Sequence, residues 1–182
     1  ITVGATESDI NATSTTWGQA WSTDYPTNPI ADDPLSDDRN GMAAFSSRGP
    51  TDDGRIKPDV SAPGTMIISV RSQDSAAGTG WGVYDDYYVY MGGTSMSNPL
   101  TAGGAVLVRE YFTQHEGINP SAALVKATIM NAAYDIYPGQ YGTGTGQEIS
   151  TVRPNNVEGW GRVDLGAAVA PSAPAGMQYV DD

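Results

Sequence analysis

The stretch Gly92-Gly93-Thr94-Ser95-Met96-Ser97-Asn98-Pro99 decides how the fold of this chain is interpreted. It lies between a short β-branched and aromatic run, residues 87–91, and a long segment with helical periodicity. Two glycines allow a tight turn there. Pro99 falls within the first helical turns, where a missing N–H costs little. The sequence therefore predicts that Ser95 presents its hydroxyl at the N-terminus of a buried helix.

Such a serine suits nucleophilic catalysis. A hydroxyl needs a base to become a nucleophile, and the tetrahedral intermediate needs hydrogen-bond donors. The first turn of a helix leaves backbone N–H groups free, so the Ser95 N–H is a candidate donor for an oxyanion hole.

Simpler interpretations of the same stretch exist. Ser95 or Thr94 could be an ordinary helix N-cap. A phosphate-binding loop is disfavoured because the stretch holds no Lys or Arg. The Gly-x-Ser-x-Gly elbow of lipases and the Ser-x-x-Lys motif of β-lactamases are both absent, since Ser97 and Asn98 occupy the deciding positions.

Outward from this stretch, strand-like and helix-like segments alternate. Buried strands are predicted at residues 1–5, 59–64 and 66–70, and polar loops at 6–41, 72–86 and 137–159. The long helix is predicted from about Ser95 to Gln114, with a buried face made of Leu100, Ala102, Gly103, Val106, Leu107, Tyr111 and Phe112. Asn119 is expected to cap a second helix, and Asp164 a short last one. The alternation predicts an α/β fold, a parallel sheet flanked by helices.

Composition excludes several classes of function. The chain has 182 residues, 39% of them apolar, which is enough for a core. Its net charge of −12 argues against nucleic acid as a partner. No stretch approaches the roughly 20 apolar residues that span a bilayer, so no membrane partner is expected. The absence of cysteine excludes disulfides and thiolate chemistry.

Residues 93–99 closely resemble the nucleophile motif of the subtilisin family of serine peptidases, the subtilases. Residues 45–50 (FSSRGP), followed by 57–64 (KPDVSAPG), resemble a second subtilase signature. Residues 159–164 (GWGRVD) resemble a third. The resemblance runs from residue 1 to about 170, and is greatest to bacterial alkaline subtilases that carry a β-sandwich domain after the catalytic domain.

This resemblance implies a partial subtilisin-like three-layer fold. Residues 1–170 would be the C-terminal portion of a catalytic domain, and 171–182 a boundary or linker to a downstream domain. The implied activity is that of a secreted serine endopeptidase, which hydrolyses protein or peptide substrates through an acyl-enzyme. Ser95 would be the nucleophile. Oxyanion and cleft support would come from Gly93, Thr94, Met96 and Met91.

In the subtilase family the triad Asp and His and the oxyanion Asn all precede the serine. Here the only histidine, His115, follows Ser95 by 20 residues. Along a helix that separation is about 30 Å, whereas a base must lie within about 3 Å of the hydroxyl. We therefore expect an upstream segment, on this or another chain, to supply these groups, and the chain alone to be inactive. The alternative is a non-catalytic remnant of the fold, or an interaction module.

The chemistry implied by the resemblance requires no cofactor. Subtilases often bind structural calcium, and calcium takes six to eight oxygen ligands. The acidic run Asp32, Asp33, Asp37 and Asp38 is the candidate site, although a solvated acidic loop is the simpler interpretation.

Overall fold

A computed structural model of the chain describes residues 1–170 and 178–181. The strands are β1 Val3–Thr6, β2 Val60–Pro63, β3 Ile67–Val70, β4 Gly82–Val83 and β5 Tyr88–Met91. The helices are α1 Trp17–Ala20, α2 Thr94–Tyr111, α3 Ala122–Ala132 and α4 Leu165–Val169. A 3-10 turn spans Ile30–Asp32, and the π-helical segment Phe112–Glu116 continues α2. The predicted α/β class is confirmed. Most of the predicted linker, residues 171–177 and 182, lies outside the described residues.

The described residues form two small sheets. Strands β1 and β2 run in parallel, with Val3 opposite Val60 and Thr6 opposite Pro63. Strands β3, β5 and β4 form a separate antiparallel sheet in that order. The prediction that β3 is buried is wrong, since three of its four residues are exposed. The reason is that β3 is an edge strand of the antiparallel sheet, paired with β5 alone among the described residues, and does not join the parallel sheet.

The second and third motifs meet at β2. Ser61 N–H donates to the Gly161 carbonyl and Val163 N–H donates to the Ser61 carbonyl, both at 2.9 Å. A Cβ atom on Gly159 would lie 2.3 Å from the Pro58 carbonyl oxygen. The glycines of the third motif therefore permit a close backbone approach, which extends the parallel sheet beyond β2.

Helix α2 buries a stripe of small residues. Its buried side chains are Ser97, Thr101, Gly104 and Val108, and the stripe continues into Phe112. This spacing is typical of one helix face. Helix α2 packs against β1, β2, α3 and α4. The main core cluster consists of Val60, Val108, Phe112, Leu124, Ile129, Ala133 and Ala168.

The predicted buried face of α2 is largely wrong. Leu100, Val106 and Leu107 are 44%, 64% and 48% exposed, and a Cβ atom on Gly103 would meet open space. The helix has apolar residues on two faces, and the sheet packs against the face with the smaller side chains because only these allow a close approach. The larger apolar face is left uncovered by the described residues.

Two helix starts test the capping predictions. Helix α3 is capped by Ser121, whose Oγ accepts from Leu124 N–H at 3.0 Å, and not by Asn119 as predicted. The predicted Asp164 cap is confirmed, since its Oδ1 accepts from Ala167 N–H at 2.9 Å. None of the helices in the described residues is long and apolar enough to cross a membrane.

The predicted loop at residues 6–41 is not only a surface feature. It contains α1, and Trp17 within α1 is fully buried. The Trp17 ring packs against Trp21, Tyr25 and Phe45 at centroid distances of 5.5–5.7 Å. Aromatic burial thus orders a segment whose polar composition suggested an irregular loop.

Glu158, just before the third motif, is fully buried. Its Oε2 accepts from Ile136 N–H at 3.0 Å, and its Oε1 accepts from Asn155 Nδ2 at 2.9 Å. Burial, with a smaller contribution from the nearby Asp135 carboxylate, raises the pKa of Glu158 to about 7. The folded state therefore disfavours the ionised form of this side chain.

Replacing Glu158 by Gln should change how stability depends on pH. The raised pKa means that the Glu158 contribution is fully present below pH 4.5 and is lost as pH rises through about 7. Gln cannot ionise. We expect the unfolding free energy of Glu158→Gln, relative to the parent, to rise by about 3 kcal/mol between pH 4.5 and 8. Urea unfolding across this range measures it. A difference that is constant with pH would contradict the raised pKa.

Candidate active site

The turn between β5 and α2 consists of Gly92 and Gly93. Gly93 occupies the N-cap position with φ 136° and ψ 160°, a backbone conformation that is unfavourable for residues with a side chain. Its N–H donates to the Gly64 carbonyl at 2.7 Å. The turn is therefore fastened to the residue that follows β2.

Ser95 is the second residue of the 18-residue helix α2, and its side chain is exposed. No side chain caps this helix, so the N-cap interpretation of Ser95 or Thr94 is wrong. Met96 N–H donates to the Gly93 carbonyl at 3.0 Å, whereas Ser95 N–H bonds to no described residue. An accessible hydroxyl thus stands beside a free N–H at the positive end of a long helix. Such an arrangement can stabilise an oxyanion that forms next to the hydroxyl.

The predicted supporting residues lie around this turn. Thr94 and Met96 flank Ser95 and are half-buried. Met91 ends β5, and its Sδ occupies the space that a Cβ atom on Gly80 would need, at 2.2 Å. Because these residues adjoin the turn in sequence, the local chain path brings them together.

His115 is far from the turn. It is exposed in the π-helical segment at the opposite end of α2, and its ring stacks on Tyr111 with a centroid distance of 5.3 Å. This position agrees with the prediction that His115 is not a base for Ser95.

Three of the four acidic residues proposed for calcium accept hydrogen bonds from different groups. Asp32 accepts from Asn28 Nδ2 at 2.6 Å, and Asp38 Oδ1 accepts from Asn40 N–H at 2.8 Å. Asp33 accepts from Tyr141 OH at 2.8 Å. Residues 1–170 and 178–181 contain no group of three or more acidic or histidine side chains that could hold a metal ion. The four carboxylates therefore do not form one side-chain cluster among the described residues, and calcium binding by this run stays a prediction.

The structure reveals a buried carboxylate that sequence reasoning missed. Glu7 is fully buried at the end of β1; its Oε1 accepts from Trp17 Nε1 at 3.2 Å and its Oε2 from Asp37 N–H at 3.1 Å. Burial, and then the nearby Asp33, raise the pKa of Glu7. Gln140 Nε2 donates to both carboxylates, at 3.4 and 3.0 Å. The network ties residues 6–41 to β1, but nothing local in the sequence marks Glu7 as buried.

The structure also reveals an aromatic contact at the turn. A Cβ atom on Gly92 would lie 2.1 Å from Cζ2 and 2.2 Å from Cη2 of Trp81. The indole ring therefore lies directly against the Gly92 backbone. The run Gly80-Trp81-Gly82 inside a predicted loop was the available signal, but it does not say what the ring contacts.

Ser97 lies two residues after Ser95 but faces the interior. It is fully buried, and its Oγ has no hydrogen-bond partner among the described residues. A buried, unpaired hydroxyl costs about 1–3 kcal/mol. We expect Ser97→Ala to raise the unfolding free energy by about 1 kcal/mol, measured by urea unfolding in a Ser95→Ala background that prevents self-digestion. A clear loss of stability would show that Ser97 Oγ is paired.

The sequence profile of the subtilase family matches residues 1–161. The chain is 38% identical over 105 residues to the Dictyostelium discoideum "Serine protease/ABC transporter B family protein tagA". This alignment covers 49% of this chain and 6% of that protein. The chain is 38% identical over 99 residues to a Streptococcus pyogenes C5a peptidase, covering 53% of this chain and 8% of that protein.

Among solved structures, the Clostridium perfringens CspB protease is 26% identical, with a TM-score of 0.49 over 70% of this chain and 23% of that one. The aligned regions make up less than a tenth of the two curated relatives.

Proposed function

This chain belongs to the subtilase family of serine peptidases, and on that premise we propose that Ser95 is the nucleophile of an endopeptidase that works through an acyl-enzyme. The observation that carries the proposal is the exposed Ser95 hydroxyl at the N-terminus of α2, next to its own free N–H. Subtilisin, a member of this family, uses a serine nucleophile and an acyl-enzyme in this way.

The chemical step assigns one role to each group. The base takes the proton of Ser95 Oγ as the oxygen bonds to the carbonyl carbon of the peptide. The carbonyl oxygen becomes an oxyanion, which the Ser95 N–H and the positive end of α2 stabilise. The base then gives its proton to the leaving amine as the C–N bond breaks. Water hydrolyses the acyl-enzyme in the same way.

In this proposal the base, its Asp and the oxyanion Asn come from an upstream segment outside these 182 residues, on the same or another chain. The exposed apolar face of α2, formed by Leu100, Val106 and Leu107, supports such a partner. Burying each of these side chains fully would contribute about 1.5–3 kcal/mol. A contiguous exposed apolar patch of this kind marks a contact surface.

Labelling with a fluorophosphonate, a probe that reacts with activated serines, tests the proposal. We expect no labelling of the chain alone and rapid labelling once the upstream segment is joined to it, because Ser95 needs its base. Mass spectrometry should locate the label on Ser95. Leu107→Glu, which puts a charge on the apolar face of α2, should prevent labelling without touching Ser95. Labelling of the chain alone at the same rate would contradict the division of the triad.

The second candidate function is a non-catalytic remnant of the fold, or an interaction module. It is favoured by one observation: the only histidine of the chain lies at the far end of α2 from Ser95. Absence of labelling after the upstream segment has joined and folded would select it.

We further propose that the substrate is a protein or peptide and that the protein is secreted. Both relatives described above carry protease or peptidase in their names, which supports the substrate class. Secretion rests on the resemblance to bacterial alkaline subtilases. Immunodetection in culture medium and in washed cells tests it, and protein confined to the cells would contradict it.

A further inference from the structure

Gly92 is a glycine because of space and not because of backbone conformation. Unlike Gly93, it does not have a positive φ, so a side chain there would cause no backbone strain. What excludes a side chain is the Trp81 ring, three of whose atoms lie 2.1–2.4 Å from the position of a Cβ atom. The indole and the Gly92 backbone are therefore in direct contact.

Trp81 is itself held from several directions. The backbone N–H of Trp81 donates to the Tyr90 carbonyl at 2.8 Å, which fixes the Trp81 backbone to β5. Its ring packs against Trp21 at 5.6 Å and Phe45 at 6.2 Å between centroids. Both of these rings also contact Trp17, which is fully buried and bonded to Glu7. The ring that touches Gly92 is thus packed against the core cluster that contains Trp17.

Two contacts hold the turn before Ser95. One is the hydrogen bond from Gly93 N–H to the Gly64 carbonyl. The other is the Trp81 ring against Gly92. Only Gly93 and Thr94 separate Gly92 from Ser95, and α2 starts at Thr94, so a shift of the turn displaces the hydroxyl. A displacement of about 1 Å at a reacting group can cost about a hundredfold in rate.

We propose that Trp81 is a positioning residue: its indole ring supports the Gly92 backbone and so holds the Ser95 hydroxyl in its reactive position. The proposal rests on the role of Ser95 as the nucleophile. If Trp81 has this role, the reaction rate depends on a residue of segment 72–86. Through the Trp81 ring it also depends on the aromatic cluster of Trp17, Trp21 and Phe45.

A double-mutant cycle in the complete catalytic domain tests this. We expect Trp81→Ala to lower kcat by about a hundredfold with KM changed less than about threefold, because the role proposed for the ring is to support the turn and not to bind substrate. Gly92→Ala should lower kcat at least as much, since its methyl group collides with the ring. Without the ring that collision disappears. The double variant Gly92→Ala/Trp81→Ala should therefore have a kcat no lower than that of the less active single variant.

The controls separate positioning from folding. Thermal midpoints are measured for every variant, and kcat is compared below all of them. Tyr87→Ala removes another aromatic side chain, which is exposed directly before β5, and should leave kcat unchanged. Trp81→Phe, which keeps a smaller ring, should lose less kcat than Trp81→Ala.

Two results would overturn the proposal. One is a kcat of Trp81→Ala within twofold of the parent. The other is a double variant whose fold-loss in kcat equals the product of the fold-losses of the two single variants. Ser95→Ala belongs in the same series. If Ser95→Ala is inactive while Trp81→Ala matches the parent, only the positioning role fails. If Ser95→Ala remains active, the proposed nucleophile fails instead.

Discussion

Ser95→Ala is expected to lower kcat for peptide hydrolysis by the complete catalytic domain by about a million-fold. That magnitude is the one known for loss of the nucleophile in subtilisin, a member of the same family. The oxyanion donors and the substrate contacts remain, so a weak residual rate above the uncatalysed reaction should persist and KM should change little. Steady-state kinetics with a chromogenic peptide measure both quantities.

Ser97→Ala is the matched control for this result. Ser97 lies in the same motif and the same helix, but its hydroxyl is buried and points away from solvent. Its replacement should leave kcat within about twofold. Peptide hydrolysis that survives Ser95→Ala and disappears with Ser97→Ala would show that the wrong serine has been assigned.

Gly64→Ala is expected to lower the unfolding free energy by about 3 kcal/mol. A Cβ atom at this position would lie 2.5 Å from Ser97 Oγ, 2.7 Å from Ala5 Cβ and 3.1 Å from the Gly93 carbonyl. The first contact joins α2 to the end of β2, and the second involves β1. Relief therefore requires the helix and the sheet to move apart. Urea unfolding in a Ser95→Ala background measures the loss.

Two further variants make the Gly64 prediction specific. Adding Ser97→Ala removes the closest colliding atom, so the double variant should recover about 1 kcal/mol more than additivity allows. Gly103→Ala is the matched glycine control. In the chain without the upstream segment, a Cβ atom there meets no described atom within 4 Å, so Gly103→Ala measured on the chain alone should raise stability by up to about 1 kcal/mol. Equal losses at positions 64 and 103 would mean that close packing is not the cause.

Local chemistry made several features of this chain predictable. The strand before Gly92 and the helix after Gly93 follow from β-branched and aromatic residues, from two glycines and from helical periodicity. The Asp164 cap follows from a side chain that satisfies an N–H three residues away. The three motifs were identified by their resemblance to the subtilase family, and the structure shows that Gly159 of the third lies where two backbone segments approach closely. Each of these signals lies within a few residues of the feature that it predicts.

The remaining features depend on residues far apart in the sequence. Periodicity alone placed Leu100 and Leu107 in the core, because it cannot tell which of two apolar faces meets the sheet in this chain. Nor can local sequence indicate that Glu7 is buried beneath Trp17 and Gln140.

By itself, then, the sequence determined the family, the α/β class and the serine at the start of α2, because these depend on residue types in a fixed local order. The tertiary structure alone decided which face of α2 is buried, that Ser97 Oγ is unpaired and that the Trp81 ring lies against Gly92. Those facts are distances between segments that meet only when the chain has folded.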